Sequence, residues 1–435
     1  MNRIFRLKEN NTTAGREIIA GLTTFTAMAY IIFLNPVFLS TTGMDSQGVM
    51  IATCLAAAAG SILCAFISNK PFVLASGMGV NAFFSYTICG AYGYTWQQAL
   101  ALTFIAGSIF FILIVTPVGK VIIKSIPVIL KHSISAGIGL FIAVIGLLDS
   151  GLISLSSGLP ALGDLSSPAV IISLVGLVIT TVLVVLKVKG ALFIGMVATV
   201  VINIIAGLTA LPESVVSMPS ALANVFCKMD FAGLIPQGGG AAAIITLVSV
   251  VISLTLVDMF DTLGFLVGAA SSAGMLDKDG NMPGGRRVLA ADAAATVIGS
   301  VFGTSTVTCF AESEAGIAAG GRTGLTSFVA AVCFALSCFF APITGLVTSS
   351  ATAPVMIIVG LYLFMDVKNI DFKELDNAIP AFLTIIMIPL AYSISTGIAL
   401  GFISYVISKL AARKWKELNP AVIVLAVIFV IYLVL

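Results

Sequence analysis

The sequence predicts an all-α polytopic membrane protein of fourteen transmembrane segments, built as 7+7 inverted repeats with interrupted spans 3 and 10. Three observations carry that expectation. Of 435 residues, 59% are hydrophobic and 9% charged, a composition that places the chain among integral membrane proteins. Apolar runs recur along its whole length without a long polar break, and about 20 such residues cross a hydrocarbon layer of about 30 Å. The chain also matches itself weakly at an offset of 239, where Gly60-Ser61 falls on Gly299-Ser300 and Gly77 on Gly316. Seven spans separate the two copies, an odd number, so the second is inverted relative to the first.

Taken in order, residues 1–16 ("MNRIFRLKENNTTAGR") are polar and basic, with no short apolar core before a small-residue cleavage site, so no removable signal peptide is expected. Spans follow at about 17–40, 49–68, 72–91, 97–117, 133–149, 168–187, 190–210, 240–268, 286–302, 305–321, 323–342, 351–366, 378–393 and 395–412. With a cytoplasmic N-terminus, every Lys and Arg except Lys228 falls on the inside, as the positive-inside rule requires. One missed span would invert everything after it. Residues 413–435 add "RKWKE" and the apolar run "NPAVIVLAVIFVIYLVL", which could span or lie against the bundle. Six of the seven cysteines sit in apolar runs and none forms a CxxC pair, so they read as small hydrophobes.

Spans 3 and 10 contain "LASGMGVNAFFSY" and "FAESEAGIAAGGRTG". Each glycine costs about 1 kcal/mol relative to alanine in a helix interior, so both stretches read as broken spans. Broken backbone at membrane depth is tolerated only where protein or a watery cavity satisfies its freed N–H and C=O groups. A matched pair of breaks points to a central binding site; close helix packing is the alternative reading for such glycines.

Acids stand beside these breaks. Asp258, Asp261, Asp292, Glu312 and Glu314 lie within or at the edges of spans, with Arg322 the only cation near their depth. Each would cost about 2.5–3.5 kcal/mol at a lipid-facing helix centre, so they should face a polar interior. Asp258 and Asp261 are three residues apart and share a helix face. Close acids without cations share protons rather than ionise together, which suits proton coupling. Capping of a broken helix is the competing role, evenly weighted for Asp292 and Glu314. His132, the only histidine, falls at an interfacial boundary, and no metal cluster or Walker-type loop is present, so transport should be secondary rather than ATP-driven.

The stretches "REIIAGLTTFTAMAYIIFLNP", "GMGVNAFFSY", "VDMFDTLG", "GTSTVTCFAESEAGIAAGGRTGLT" and "IPAFLTIIMIPLAYSISTGIALGFISY" occur in this order over almost the entire chain. Together they resemble the AzgA-like purine permeases, a branch of the nucleobase–ascorbate transporter superfamily. The resemblance implies a core domain (residues 17–117 and 240–342, spans 1–4 and 8–11) and a gate domain (118–210 and 343–412, spans 5–7 and 12–14), with elevator-type alternating access. It implies import of adenine, guanine or hypoxanthine, typically with protons, by a multi-pass protein of the cell membrane. It implies no cofactor, enzymatic activity or nucleic-acid partner, and it allows a homodimer through the gate.

Carried over by motif, the substrate carboxylates become Asp258 and Glu312, the span 3 asparagine Asn81 and the following acid Asp261. Phe260, Gly316 and Ala311 complete the candidate purine site, and Glu314, Thr26 and Thr323 join Asp261 as candidate proton-coupling or organising residues. Glu314 departs from the family pattern, which more often has a small residue there. A carboxylate matches the N1–H and 2-amino donors of guanine, and flat bases prefer aromatic walls; Phe25, Tyr30, Phe83, Phe84 and Phe260 are candidates. Two other classes remain for comparison. An anion transporter of the same 7+7 architecture would find its substrate repelled by the acids, and an intramembrane aspartyl protease would need Tyr-Asp and Gly-x-Gly-Asp motifs that the sequence lacks.

Overall fold

Helices begin where the sequence supplies donors and acceptors for their open ends. In a computed structural model, which describes residues 2–116, 127–156, 159–212, 214–235, 240–272, 275 and 282–434, Asp45 accepts from the Gly48 N–H at the start of span 2 (Ser46–Ser68). Thr95 and Gln98 form a capping box at span 4 (Trp96–Val115), and Ser393 accepts from the Thr396 N–H at span 14 (Ile394–Ala411). Such caps each contribute about 1 kcal/mol.

An element stands at each of the fourteen expected positions. Span 1 is two helices, Ala14–Met28 and Ile31–Ser40; spans 5 to 9 are Val128–Asp149, Pro168–Val185, Ala191–Ile205, Gly240–Ser272 and Gly285–Phe302. Span 11 is Gly324–Ser337 continued as a tighter turn to Leu346, span 12 is Ser349–Phe364 and span 13 is Leu375–Leu390. Among the described residues, nine helices are long and apolar enough to cross a membrane. Spans 7 and 13 fall short at 15 and 16 residues. Span 5 begins five residues before the expected 133 and takes in Lys131 and His132, because hydropathy marks the hydrocarbon layer while the helix runs on into the polar interface. Lys120, Lys124 and Lys278 lie outside the described residues.

The architecture is all-helical as expected, apart from short paired segments. Four short strands are present: β1 (Leu74–Ser76), β2 (Ile153–Ser156), β3 (Leu159–Leu162) and β4 (Val307–Cys309). β2 and β3 form a hairpin between spans 5 and 6. β1 and β4 are the breaks themselves: span 3 is β1 followed by helix Met78–Ala82 and the wider π-helix Phe83–Ala91, and span 10 is β4 followed by helix Ser313–Ala318.

The helices pack as two groups. Span 2 packs on spans 9 and 11, span 9 on span 4 and span 11 on span 1; separately, span 5 packs on spans 12 and 13, span 13 on span 14, and span 6 on spans 7 and 12. Gly60 and Gly299 explain the close approach in the first group, since a Cβ on either would come within 3.1 Å or 2.9 Å of a Val307 methyl. These helical glycines are 239 apart, whereas the strands start at 74 and 307, an offset of 233. The expected equivalence of Gly77 and Gly316 therefore does not hold: Gly77 precedes a half-helix, and Gly316 lies within one.

At one end of the molecule, Lys409 is almost fully buried and bonds Asp376 (2.8 Å) and Glu417 (2.6 Å). Lys414 joins the cluster through Glu374 and Asp376, whose carboxylates hold its ammonium above the usual lysine range. From there helix Pro420–Val434 runs back along spans 14 and 8. It buries one face, Val422, Ala426 and Phe429, with Phe429 5.7 Å from the Phe402 ring. Near its far end Tyr432 meets Tyr92, the residue that closes span 3. The apolar run that the sequence left unassigned is thus a helix laid against the bundle.

Candidate functional site

Strands inside a helical bundle leave open edges whose N–H and C=O groups need partners. β1 and β4 serve each other along one side, antiparallel, with Leu74 opposite Cys309 and Ser76 opposite Val307. Hydroxyls serve the outer sides. Ser61 of span 2 donates to the Leu74 carbonyl (3.1 Å) and accepts its N–H (3.0 Å). Thr296 of span 9 stands in the same relation to Val307, both at 3.1 Å. Each half of the chain thus caps its own strand with a hydroxyl from the preceding helix.

Next to the strands lies a buried polar cluster. The Asn81 carbonyl oxygen accepts from Ser76 (2.9 Å) and Ser305, while Asn35 donates to Thr53 (2.6 Å) and Thr304 (2.8 Å). Behind β4 the acids form crossed pairs between spans 8 and 9. Thr296 donates to Asp258 Oδ2 at 3.1 Å and Thr262 to Asp292 Oδ2 at 2.9 Å. Both carboxylates are fully buried, and the second oxygen of each has no hydrogen-bond partner among the described residues. Buried carboxylates that are only half satisfied are costly, which makes these two acids candidates for the site.

Glu312 follows β4 at the break. Its Oε1 accepts from the Tyr30 hydroxyl at 2.6 Å, and Tyr30 is itself buried at the joint between the two helices of span 1. A cavity opens here, lined by Tyr30 of span 1, Met78 and Gly79 of span 3, Asp261 and Phe265 of span 8, Thr308, Phe310, Ala311 and Glu312 of span 10, and Val359, Tyr362 and Leu363 of span 12. Two carboxylates, two phenols and two phenylalanines surround it, and no Lys or Arg is among the described lining residues. A second, wider cavity, reached one turn along span 1 from Tyr30, is lined by Phe33, Ser40, Thr41, Asp149, Thr348 and Ser349 among others.

The structure sorts the sequence candidates. Glu312, Asp261, Ala311 and Tyr30 line the cavity. Asp258, Asn81, Phe260 and Gly316 do not. Asp258 stands behind β4, Asn81 beside the strand crossing, and Phe260 under the Lys131 ammonium at 5.6 Å, a contact between the two helix groups. A Cβ on Gly316 would meet Thr24 Oγ1 at 1.9 Å, so that glycine lets the half-helix sit on span 1. Glu314 is exposed, and Thr26 is exposed with its hydroxyl bonded to the Leu22 carbonyl. Thr323 caps span 11, its side chain accepting from the Leu325 N–H. Phe25, Phe83 and Phe84 are packed elsewhere, and Phe265, Phe310 and Tyr362 supply the aromatic walls instead. Glu17, which the sequence reading passed over, is fully buried and accepts from the Arg322 and Thr323 N–H groups (2.9 and 3.2 Å) and the Thr326 hydroxyl (2.6 Å).

With this geometry in place, comparison with known proteins is informative. A model of the Permease family matches residues 15–400. The chain is 46% identical to the guanine/hypoxanthine permease PbuO of Bacillus subtilis, over 99% of each chain. It is 37% identical to the adenine permease AdeP of Escherichia coli, over 100% of this chain and 96% of that one. Among solved structures, the transmembrane domain of the cyanobacterial bicarbonate transporter BicA shares the fold, with a TM-score of 0.65 at 14% identity over 88% of this chain and 96% of that one.

Proposed function

The chain belongs to the Permease family, which are transporters rather than enzymes, and from that premise we propose that it carries purine nucleobases across the cell membrane by proton symport. Its multi-pass helical architecture supports this, as do the names of its relatives, which include guanine/hypoxanthine and adenine permeases. The observation that carries the reading is the cavity at the break of span 10, where Glu312, held by Tyr30, and Asp261 face a space walled by Phe265, Phe310 and Tyr362.

Glu312 accepts the N1–H of a 6-oxopurine, and the 2-amino group where there is one. Aromatic walls hold the plane of the base. Asp261 rather than Asp258 is the second acid at the base, because Asp261 alone of the two lines the cavity. Asp258 and Asp292 stand behind the strand as the proton-bearing pair. The cavity draws residues from both helix groups, so spans 1–4 and 8–11 move as a core against a gate of spans 5–7 and 12–14, carrying the base between faces. On this reading the N-terminus lies in the cytoplasm, which the bias of Lys and Arg toward one side of the spans supports. An anion substrate, which the fold of BicA brings to mind, is disfavoured by two carboxylates in a cavity without a described Lys or Arg.

Uptake of radiolabelled hypoxanthine into cells lacking their own purine permeases tests this reading. Competition by unlabelled guanine, loss of accumulation with a protonophore, and indifference to sulfate and bicarbonate are the expected results. Well-expressed protein that takes up no purine would overturn it.

A further inference from the structure

We infer that Thr296 is the positioning residue that couples the protonation state of Asp258 to the strand leading into Glu312. The inference rests on the proton-symport reading above and names the atom through which the proton acts. A hydroxyl has one hydrogen. Thr296 Oγ1 nevertheless lies 3.1 Å from two acceptors, Asp258 Oδ2 and the Val307 carbonyl, while it accepts the Val307 N–H at 3.1 Å. It can donate to one of the two at a time.

The choice depends on charge. When Asp258 is ionised, the hydrogen goes to the carboxylate, because a charge-assisted bond is roughly twice as strong as a neutral one. The Val307 carbonyl, on the strand edge that β1 does not serve, then loses its donor. When Asp258 takes up a proton, its own O–H donates to Thr296 Oγ1, and the threonine hydrogen turns to Val307. β4 is then held on both of its edges. Val307 opens the strand that runs through Cys309 to Phe310, Ala311 and Glu312 at the cavity, so protonation firms the segment that presents Glu312 and raises affinity for the base.

The other half of the chain supplies the control. Ser61 makes the same two bonds to Leu74 and contacts no carboxylate in its hydrogen bonds. The charged groups near Asp258 are Asp261 on its own helix and Asp292 on span 9, the latter engaged by Thr262. Cys309 N–H reaches Thr262 Oγ1 at 3.4 Å, so Asp292 touches the same strand by a longer and weaker contact.

The test is equilibrium binding of hypoxanthine to the purified full chain in lipid nanodiscs, measured at about pH 5.5 and about pH 8. The wild type should bind about tenfold more tightly at the lower pH, within the usual range of coupling between two sites. Thr296→Val keeps the shape and removes the hydroxyl, and its affinity should change by less than about threefold between the two pH values. Thr296→Ser restores the hydroxyl and should restore the pH dependence, while Ser61→Ala should leave it unchanged. A wild type that ignores pH would remove the proton-symport reading itself. A pH-dependent wild type with an equally pH-dependent, folded Thr296→Val protein would overturn the inference alone. If Thr296→Val does not fold, a Thr296→Ser protein that loses the pH dependence, or a Ser61→Ala protein that loses it, overturns the inference in its place.

Discussion

Spans 3 and 10 answer one structural problem in one way and then differ in what they carry. Both enter the bundle as a three-residue strand, both have the outer edge of that strand capped by a hydroxyl from the preceding helix, and both continue as a half-helix. Span 3 then goes on as a nine-residue π-helix and offers neutral groups, Ser76 and Asn81. Span 10 ends after six helical residues and carries Glu312 at the break. The difference teaches that the repeat supplies the scaffold and the departures from it supply the chemistry. Backbone satisfaction is shared by both breaks, whereas a carboxylate stands at only one of them.

The sharpest way to break that comparison is to neutralise span 10. Glu312→Gln should lower purine uptake by about 10- to 100-fold, the loss of a hydrogen bond to a charged group worth about 1.5–3 kcal/mol, with surface expression unchanged on immunoblots. Asn81→Ala in span 3 should reduce uptake less; an equal loss would show that both breaks carry substrate. Next in size, Gly316→Ala drives a Cβ to within 1.9 Å of Thr24 Oγ1 and should destabilise the protein by about 1–3 kcal/mol, read as a lower melting midpoint in detergent. Gly77→Ala, whose nearest contact is 2.9 Å from a Thr308 methyl, should melt closer to the wild type.

Smaller effects refine the same contrast. Tyr30→Phe removes the hydroxyl bonded to Glu312 and should raise the KM for hypoxanthine by about tenfold while protein yield holds; an unchanged KM would remove Tyr30 from the site. Ser61→Ala strips one strand edge of its partner and should cost about 1 kcal/mol of stability without altering the ranking of competing purines. Glu314→Gln, at an exposed position, should leave uptake within about twofold of wild type, as is usual for surface changes.

Much of this was legible before any coordinates. Fourteen elements, two breaks and the acids beside them follow from hydropathy, glycine density and the cost of burying charge. The strand pairing was not legible, because Leu74-Ala75-Ser76 and Val307-Thr308-Cys309 are 233 residues apart and too short to show a period. Ser61 and Thr296 sit among alanines and glycines, where a small residue reads as packing. Asp258 and Asp261 share a helix, but only the fold decides which side of β4 each occupies. Glu17 follows Arg16 in a polar segment and gave no sign that it would be buried, yet its three donors at the start of span 11 make it a cap. Tyr30 was read as an aromatic wall, and the structure adds that its hydroxyl bonds Glu312.

Helix Pro420–Val434 leaves the Lys409 cluster at one end of the bundle and reaches Tyr92 and Ser393, at the other end, near its close. Fifteen residues span about 22 Å, short of a hydrocarbon layer of about 30 Å, so lipid that follows this flank of the bundle should thin to meet it.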